Sequence, residues 1–333
     1  MAIITLKQHP ELLSETLNLI EKSFHYEKSH SFREDFAPLM NESNYENIFL
    51  KLDDNKRVIA HIASKTKYLN QHPIIMLGGI SVDPHMRGEG HFQELMAHIL
   101  VHKKDEAALF LLWSDQEKLY RRFGFYLCGQ QFEHEETSIH QKKFNKTKFS
   151  NLSNKEKEEI KSLFNSSFQH CYLSFKREQA DWQLLDQMNS SDLYLRKEND
   201  IICDYFFMNK GQDLSGIIYE YGTKSEMISF LKEISSLGKV WSGFPLDENA
   251  PLQFQFMACP GDKKLFTDFI SELSMGKIKV HDINILKQEV YFNFGEDLLA
   301  LDIEELLKGL LGPGIFEELP DMKKIFISGL DSV

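Results

Sequence analysis

Leu77-Gly-Gly-Ile-Ser-Val-Asp-Pro-His-Met-Arg-Gly-Glu-Gly-His-Phe92 reads as an apolar strand broken by paired glycines, then a proline-bearing turn, then an Arg-Gly-Glu-Gly loop. The loop runs straight into the helical spacing of Phe92, Leu95, Met96, Ile99 and Leu100. A helix start carries N–H groups without intrahelical partners and the positive end of the helix dipole, so it favours an anion. Gly88 and Gly90 would let a pyrophosphate come close to the backbone, and Arg87 adds a fixed positive charge. Taken alone, Gly-x-Gly before a helix fits an ordinary strand-to-helix turn equally well.

The downstream context decides between them. A second apolar strand, Ala108-Leu-Phe-Leu-Leu-Trp113, is followed by the helix start Ser114-Asp115-Gln116 and then by Lys118-Leu-Tyr-Arg-Arg-Phe-Gly-Phe125. In this combination the sequence resembles the GNAT acyl-CoA N-acyltransferase superfamily over roughly residues 1–135. Val82-x-Pro84-x-x-Arg87-Gly88-x-Gly90 is similar to that family's acetyl-CoA pyrophosphate loop, and Leu119-Tyr120-x-x-Phe123-Gly124-Phe125 to its second signature. At the sixth loop position stands Phe92, where the strict pattern has Gly or Ala, a departure that bears on how closely the helix packs there.

The resemblance implies an α/β (α+β) fold with a mixed central sheet flanked by helices, and acetyl-CoA as cosubstrate. It places Ile80, Ser81, Val82, Arg87, Gly88, Glu89, Gly90, His91 and Phe92 around the cofactor. By the same resemblance a backbone N–H near Ile80 to Val82 meets the developing oxyanion, and Tyr120 acts as general acid beside the CoA sulfur. A phenol is a suitable donor to a departing thiolate; the alternative for Tyr120 is a half-buried aromatic whose hydroxyl caps a strand.

Moving an acetyl group from a thioester to an amine needs no nucleophilic side chain, and no Cys-His or Ser-His-Asp arrangement stands out. Candidate bases are Glu27, Glu34, Asp83, Glu133, the terminal carboxylate of Val333, or a water chain; Glu220 is a further candidate for substrate contact. His98 and His102 lie one turn apart, but no Glu completes a His-Glu-x-x-His motif and no third ligand is evident, so no metal is expected.

With 333 residues, 42% hydrophobic and 12% aromatic, the chain can bury two domain cores. No apolar run reaches bilayer length and the start, Met1 to Pro10, has no signal-peptide core, so a cytoplasmic location without a membrane partner is expected. Four singly spaced cysteines, Cys128, Cys171, Cys203 and Cys259, read as reduced thiols. A net charge of −12 disfavours nucleic-acid binding and favours a cationic small molecule or basic peptide as substrate.

Along the chain, residues 11–23 place Leu12, Leu13, Leu17 and Ile20 on one helical face. The aromatic and acidic segment from Phe24 to Tyr45 follows. In the GNAT architecture this segment lines the acceptor pocket, which makes Glu27, Glu34 and Asp35 candidate substrate contacts; a surface loop with aromatic anchors is the alternative. Strands at 47–52, 57–68 and 74–82 predict an antiparallel meander, turning at Asp53-Asp-Asn-Lys56. A basic, polar run at 141–148 suggests a boundary, dividing the chain into 1–145 and 150–333.

The second half repeats the cadence, with helices at 153–168 and 177–188 and strands at 192–196, 201–208 and 216–221. Glu220-Tyr-Gly-Thr-Lys-Ser225 stands where an Arg-Gly-x-Gly loop belongs. This half reads as a degenerate copy without a cofactor site; tandem GNAT proteins, including the aminoglycoside-acetylating Eis group, look similar in outline. An unrelated α+β domain is the alternative. Beyond it, Gly309–Gly314 predicts a helix stop, and the apolar tail from Ile325 an extended segment docked on the core. The expected activity is acetyl-CoA-dependent N-acetylation of a primary amine by direct attack. Its rivals are a non-catalytic acyl-CoA sensor and a partner-binding pseudoenzyme.

Overall fold

A computed structural model describes residues 2–136, 143–284, 289–314 and 322–332. In its first half, strand β1 (Ala2–Thr5) leads through a short turn into helix α1 (Leu13–Ser23), then the short helices α2 (Phe32–Asp35) and α3 (Ala37–Met40). The meander follows as β2 (Ile48–Leu52), β3 (Val58–Leu69) and β4 (His72–Val82), then α4 (His91–Lys103), β5 (Leu109–Leu112), α5 (Glu117–Tyr120) and β6 (Tyr126–His134). The β2–β3 turn forms because Asp53 Oδ1 accepts from the N–H groups of Asn55 and Arg57, both at 2.9 Å. On α1 the buried positions are Thr16, Leu19 and Ile20, while Leu13 and Leu17 are half-buried, as is Leu12 in the 3₁₀ turn over Pro10–Leu12 that precedes the helix; the apolar stripe is thus turned toward Leu19.

The second half begins with the edge strand β7 (Asn145–Thr147), so part of the basic run pairs into a sheet; residues 141 and 142 lie outside the described residues. Next come α6 (Asn154–Leu163), which passes through a π turn at Phe164–Phe168 into α7 (Gln169–Cys171), and α8 (Gln179–Leu184). A second meander is built from β8 (Asp192–Glu198), β9 (Ile201–Lys210) and β10 (Leu214–Thr223), followed by α9 (Met227–Ile234), β11 (Lys239–Ser242) and β12 (Leu252–Pro260). In both halves a helix joins the third meander strand to a strand parallel to it, α4 between β4 and β5 and α9 between β10 and β11. The cadence legible in the sequence is therefore a real repeat of topology.

Among the described residues twelve strands join one sheet, in the order β1-β2-β3-β4-β5-β12-β6-β11-β10-β9-β8-β7. The last strands are exchanged: β12 of the second half lies beside β5, and β6 of the first half lies beside β11. The halves on either side of 145 and 150 thus share a continuous sheet. Residues 263–311 add a layer outside the repeated cadence: α10 (Lys263–Leu273), the three-stranded sheet β13 (Ile278–Asn284), β14 (Glu289–Phe294) and β15 (Asp297–Asp302), and α11 (Ile303–Leu311), which stops at Gly312.

This layer explains why β5 reads Leu-Phe-Leu-Leu with no alternation. Leu109 and Leu111 pack toward α10, β14 and α11, whereas Phe110 and Leu112 pack toward α4. Covered on both faces, the strand has no polar side.

The tail docks as its apolar residues predict. Ile325 bridges to Leu173, and Gln255 both donates to Ile327 O (2.9 Å) and accepts from Ile327 N (3.0 Å). Arg177 is extended and buried ahead of α8 instead of inside a helix. It donates to both oxygens of Asp331 (3.0 and 3.1 Å from Nε) and to Glu220, whose carboxylate also accepts from Ser328 and Tyr205. The aromatic residues Trp182, Tyr205, Phe206 and Phe207 are second-half core, with Tyr194 packed against them.

Candidate functional site

β4 pairs with β5 only from Ile74 to Met76, opposite Leu109 to Leu111, and then runs on alone to Val82. Where the strands part, a cavity of about 810 Å³ opens. Its walls include Leu77–Val82 of β4, the Arg87–Gly90 loop, the start of α4, Trp113–Gln116 and Tyr120.

The β4 wall is shaped by a bulge. His61 pairs with Ser81 and Ala63 with Gly78, so Gly79 and Ile80 together oppose Ile62, and Gly79 takes φ +61°. His61, fully buried, is driven down to a pKa of about 4 by burial and is therefore neutral. It donates from Nδ1 to Gly79 O at 2.6 Å, and a Cβ on Gly79 would come within 2.8 Å of its ring. His61 fixes the bulge that the sequence shows only as paired glycines.

The predicted loop has the geometry an anion needs. Gly88 and Gly90 take φ +87° and +85°, and a Cβ on either would meet nothing within 4 Å, so open space faces both. Gly90 is the N-cap of α4 and supplies no side-chain cap, which leaves the first-turn N–H groups available. Ser81 Oγ and His91 Nδ1 are buried here without a hydrogen-bond partner. Of the residues expected at the cofactor, Ile80, Ser81, Val82, Arg87, Gly88, Gly90, His91 and Phe92 line the cavity; Glu89 faces away, its carboxylate 3.3 Å from His91 Nε2. Phe92 packs edge-on against Tyr120 (5.7 Å between centroids) and Phe123 (5.4 Å). A small residue at this position could not brace Tyr120.

Tyr120 is 6% exposed and on the cavity wall. Burial pushes its pKa up to about 12, Asp115 adding to the rise and Ser114 opposing it, so the phenol keeps its proton at neutral pH.

The second half contains the counterpart helix start, and its chemistry is reversed. Glu226 caps α9, accepting from the N–H groups of Ile228 (2.9 Å) and Ser229 (2.7 Å). A carboxylate side chain already caps this helix start.

At its other end the cavity is walled by Phe24, Tyr26, Phe32 and Phe36 from the segment after α1, and by Lys210, Asp213, Trp241, Gln255, Ile327, Gly329 and Ser332 from the second half. None of these second-half residues carried a motif. Lys210 is buried under Phe36 (4.4 Å to the ring centroid) and donates to the carbonyls of Gly329 and Ser332, each at 2.7 Å. Burial lowers its pKa to about 7 against the pull of Asp331, Asp35 and Asp213.

Among the predicted acidic contacts, Glu27 and Glu34 are exposed and off the cavity wall, and Asp35 is buried behind it. Asp213, which the sequence did not single out, is the carboxylate on the wall at this end. Asp83 caps the turn after β4 through His85 N, Glu133 pairs with Lys239 at 2.8 Å outside the cavity, Glu220 is committed to Arg177, and Val333 lies outside the described residues. His98 and His102 stack at 3.8 Å on the outer part of α4, and no group of three potential metal ligands occurs among the described residues.

Residues 7–128 match the model of the acetyltransferase (GNAT) domain. In structure the chain is similar to a probable N-acyltransferase from Enterococcus faecalis V583, with 13% identity, a TM-score of 0.60, and 90% of this chain and 84% of that one covered. It is also similar to Eis1 from Mycobacterium abscessus (11% identity, TM-score 0.61, 99% of each chain) and to N-myristoyltransferase from Saccharomyces cerevisiae with bound myristoyl-CoA (11%, 0.51, 78% of each chain). At these identities the likeness is one of fold. No curated protein sequence matches the chain.

Proposed function

We propose that this chain, whose residues 7–128 match the acetyltransferase (GNAT) domain and whose fold is similar to that of Eis1, is a GNAT acyltransferase that transfers the acetyl group of acetyl-CoA to a primary amine of a small cationic molecule or peptide, by direct attack and in the cytoplasm. The observation that carries this reading is the continuity of one cavity from the open Gly88–Gly90 loop, past Tyr120, to an aromatic end bearing Asp213. The uncapped start of α4 and Arg87 suit the pyrophosphate of the cosubstrate. The bulge frees peptide groups at Gly79 and Ile80 from the ladder, where they can meet a thioester oxygen as it gains charge. Tyr120 holds a proton for the departing sulfur. No helix among the described residues is long and apolar enough to cross a membrane, and the four cysteines are unpaired.

The test is release of free thiol from acetyl-CoA across a panel of amines. Titration calorimetry is expected to return one acetyl-CoA site per chain, because Glu226 fills the second helix start. Replacing Gly88 and Gly90 together by Ala strains two left-handed positions and puts methyl groups into the open cradle. Kd is expected to rise at least about tenfold, or about 1.4 kcal/mol. Two equivalent sites, or an unaltered Kd in the double variant, would refute this placement.

Substrate charge gives a second expectation. Asp213→Asn should raise KM for a cationic acceptor severalfold and leave Kd for acetyl-CoA unchanged, and the wild-type KM should rise with salt as screening closes in to about 10 Å at 0.1 M. A KM indifferent to both would mean that the acceptor is not held by charge.

A further inference from the structure

Four aromatic rings stand together at one end of the cavity, and all four are on its wall. Phe32 is their centre: Phe24 stacks on it (6.4 Å between centroids, planes 10° apart), Tyr26 meets it edge-on at 6.1 Å, and Phe36 lies 4.7 Å away. Phe32 is 3% exposed, whereas Phe24, a large apolar side chain, keeps 40% of its surface open. The cluster begins at the β4 bulge, because a Cβ on Gly79 would come within 3.0 Å of the Phe32 ring. An amine attacking a thioester held at that bulge has its substituent beside these rings.

Charge is scarce by comparison. Among the described residues the wall carries two carboxylates, Asp115, which acts on Tyr120, and Asp213, which is exposed on the β9–β10 turn. Lys210 is on the same wall. Its amino group already lies over the Phe36 ring, and its donors are turned on the tail carbonyls, so it offers an incoming ammonium a like group and no anion. A ligand with several ammonium groups would have to strip them of water without carboxylates to receive them. An apolar body, in contrast, gains by covering ring surface that otherwise faces water.

We propose that the acceptor is an amine with one positive charge and an aromatic body, of the short arylalkylamine class, and that polyamines and amino sugars are poor acceptors. This deepens the amine-acetylating reading above and rests on it. Asp213 draws in the one ammonium, and the Phe24 and Phe32 rings hold the body beside the bulge.

The test compares phenethylamine, butylamine and spermidine by release of free thiol from acetyl-CoA. The first two carry one ammonium of similar basicity, with a pKa of about 10 like that of a lysine side chain, so they differ in the body; spermidine adds charge without a ring. For phenethylamine kcat/KM is expected to exceed that of either other amine by about tenfold or more, the order expected from packing one ring on aromatic partners. Phe24→Ala should cut the ratio of phenethylamine to butylamine about fivefold, and Phe24→Tyr, which keeps the ring, should retain it. Asp213→Asn should weaken both monoamines alike, because its charge does not distinguish their bodies. Phe24 lies outside the buried core, and an unchanged Kd for acetyl-CoA is the check that each variant is folded. Spermidine equal to or better than phenethylamine, or a phenethylamine-to-butylamine ratio near one, would overturn this substrate class while leaving the acetylation reading standing. A ratio untouched by Phe24→Ala would overturn the placement of the body against that ring. A wild-type protein that acetylates no amine would overturn both readings.

Discussion

Tyr120→Phe is expected to lower kcat on the best amine by about 10²- to 10³-fold with Kd for acetyl-CoA nearly unchanged. A general acid acts mainly in the transition state, and its removal appears in kcat and kcat/KM together. The variant keeps the ring that packs against Phe92 and Phe125, so the site should keep its shape. The raised pKa gives the sign of the pH effect: a phenol with a pKa of about 12 stays protonated across the working range, so its titration should put no alkaline limb on the rate below about pH 11. Stopped kinetics at several pH values check both points. A rate unaltered by the substitution would make Tyr120 a packing residue.

The second large effect concerns stability. The guanidinium of Arg177 lies over the rings of Phe164 (4.4 Å) and Trp182 (4.9 Å) and serves two buried carboxylates, Glu220 and Asp331. Arg177→Met is expected to destabilise the fold by about 3–5 kcal/mol, because two carboxylates lose their counter-charge in an interior that cannot hydrate them. A fall in the urea midpoint with an unchanged slope is the readout. Adding Glu220→Leu and Asp331→Leu should recover much of the loss, since apolar replacement of a whole buried ion cluster is far less costly than orphaning part of it. A midpoint unmoved by Arg177→Met would mean that the tail is held without this ion cluster. Activity should follow stability here, because Ile327, Gly329 and Ser332 of that tail wall the cavity.

The open Gly88–Gly90 loop and the place of Tyr120 on the cavity wall were legible in the sequence, because their spacing along the chain is set by one turn and one helix. The meanders were legible for a similar reason, since alternation and turn residues are local signals. The absence of an Arg-Gly-x-Gly loop from the second half could also be read, although the capping of α9 by Glu226 could not.

The aromatic end of the cavity was legible only as a segment. From sequence, Glu27, Glu34 and Asp35 were equivalent acids on one stretch. In three dimensions two are exposed beside the cavity and the third is buried behind Tyr26, where the Gly211 turn covers it. Lys210, Asp213, Trp241 and Ser332 carry no motif, because they reach the cavity only through the exchange of β6 and β12 and the docking of the tail. Strand exchange depends on pairings between residues more than a hundred positions apart, such as Leu112 with Met257, and no local pattern encodes such a pairing. The sequence by itself determined the helix start that can receive a phosphate and the tyrosine beside it. Tertiary structure alone decided which carboxylates line the cavity, because burial and charge proximity are properties of the packed chain and not of its order.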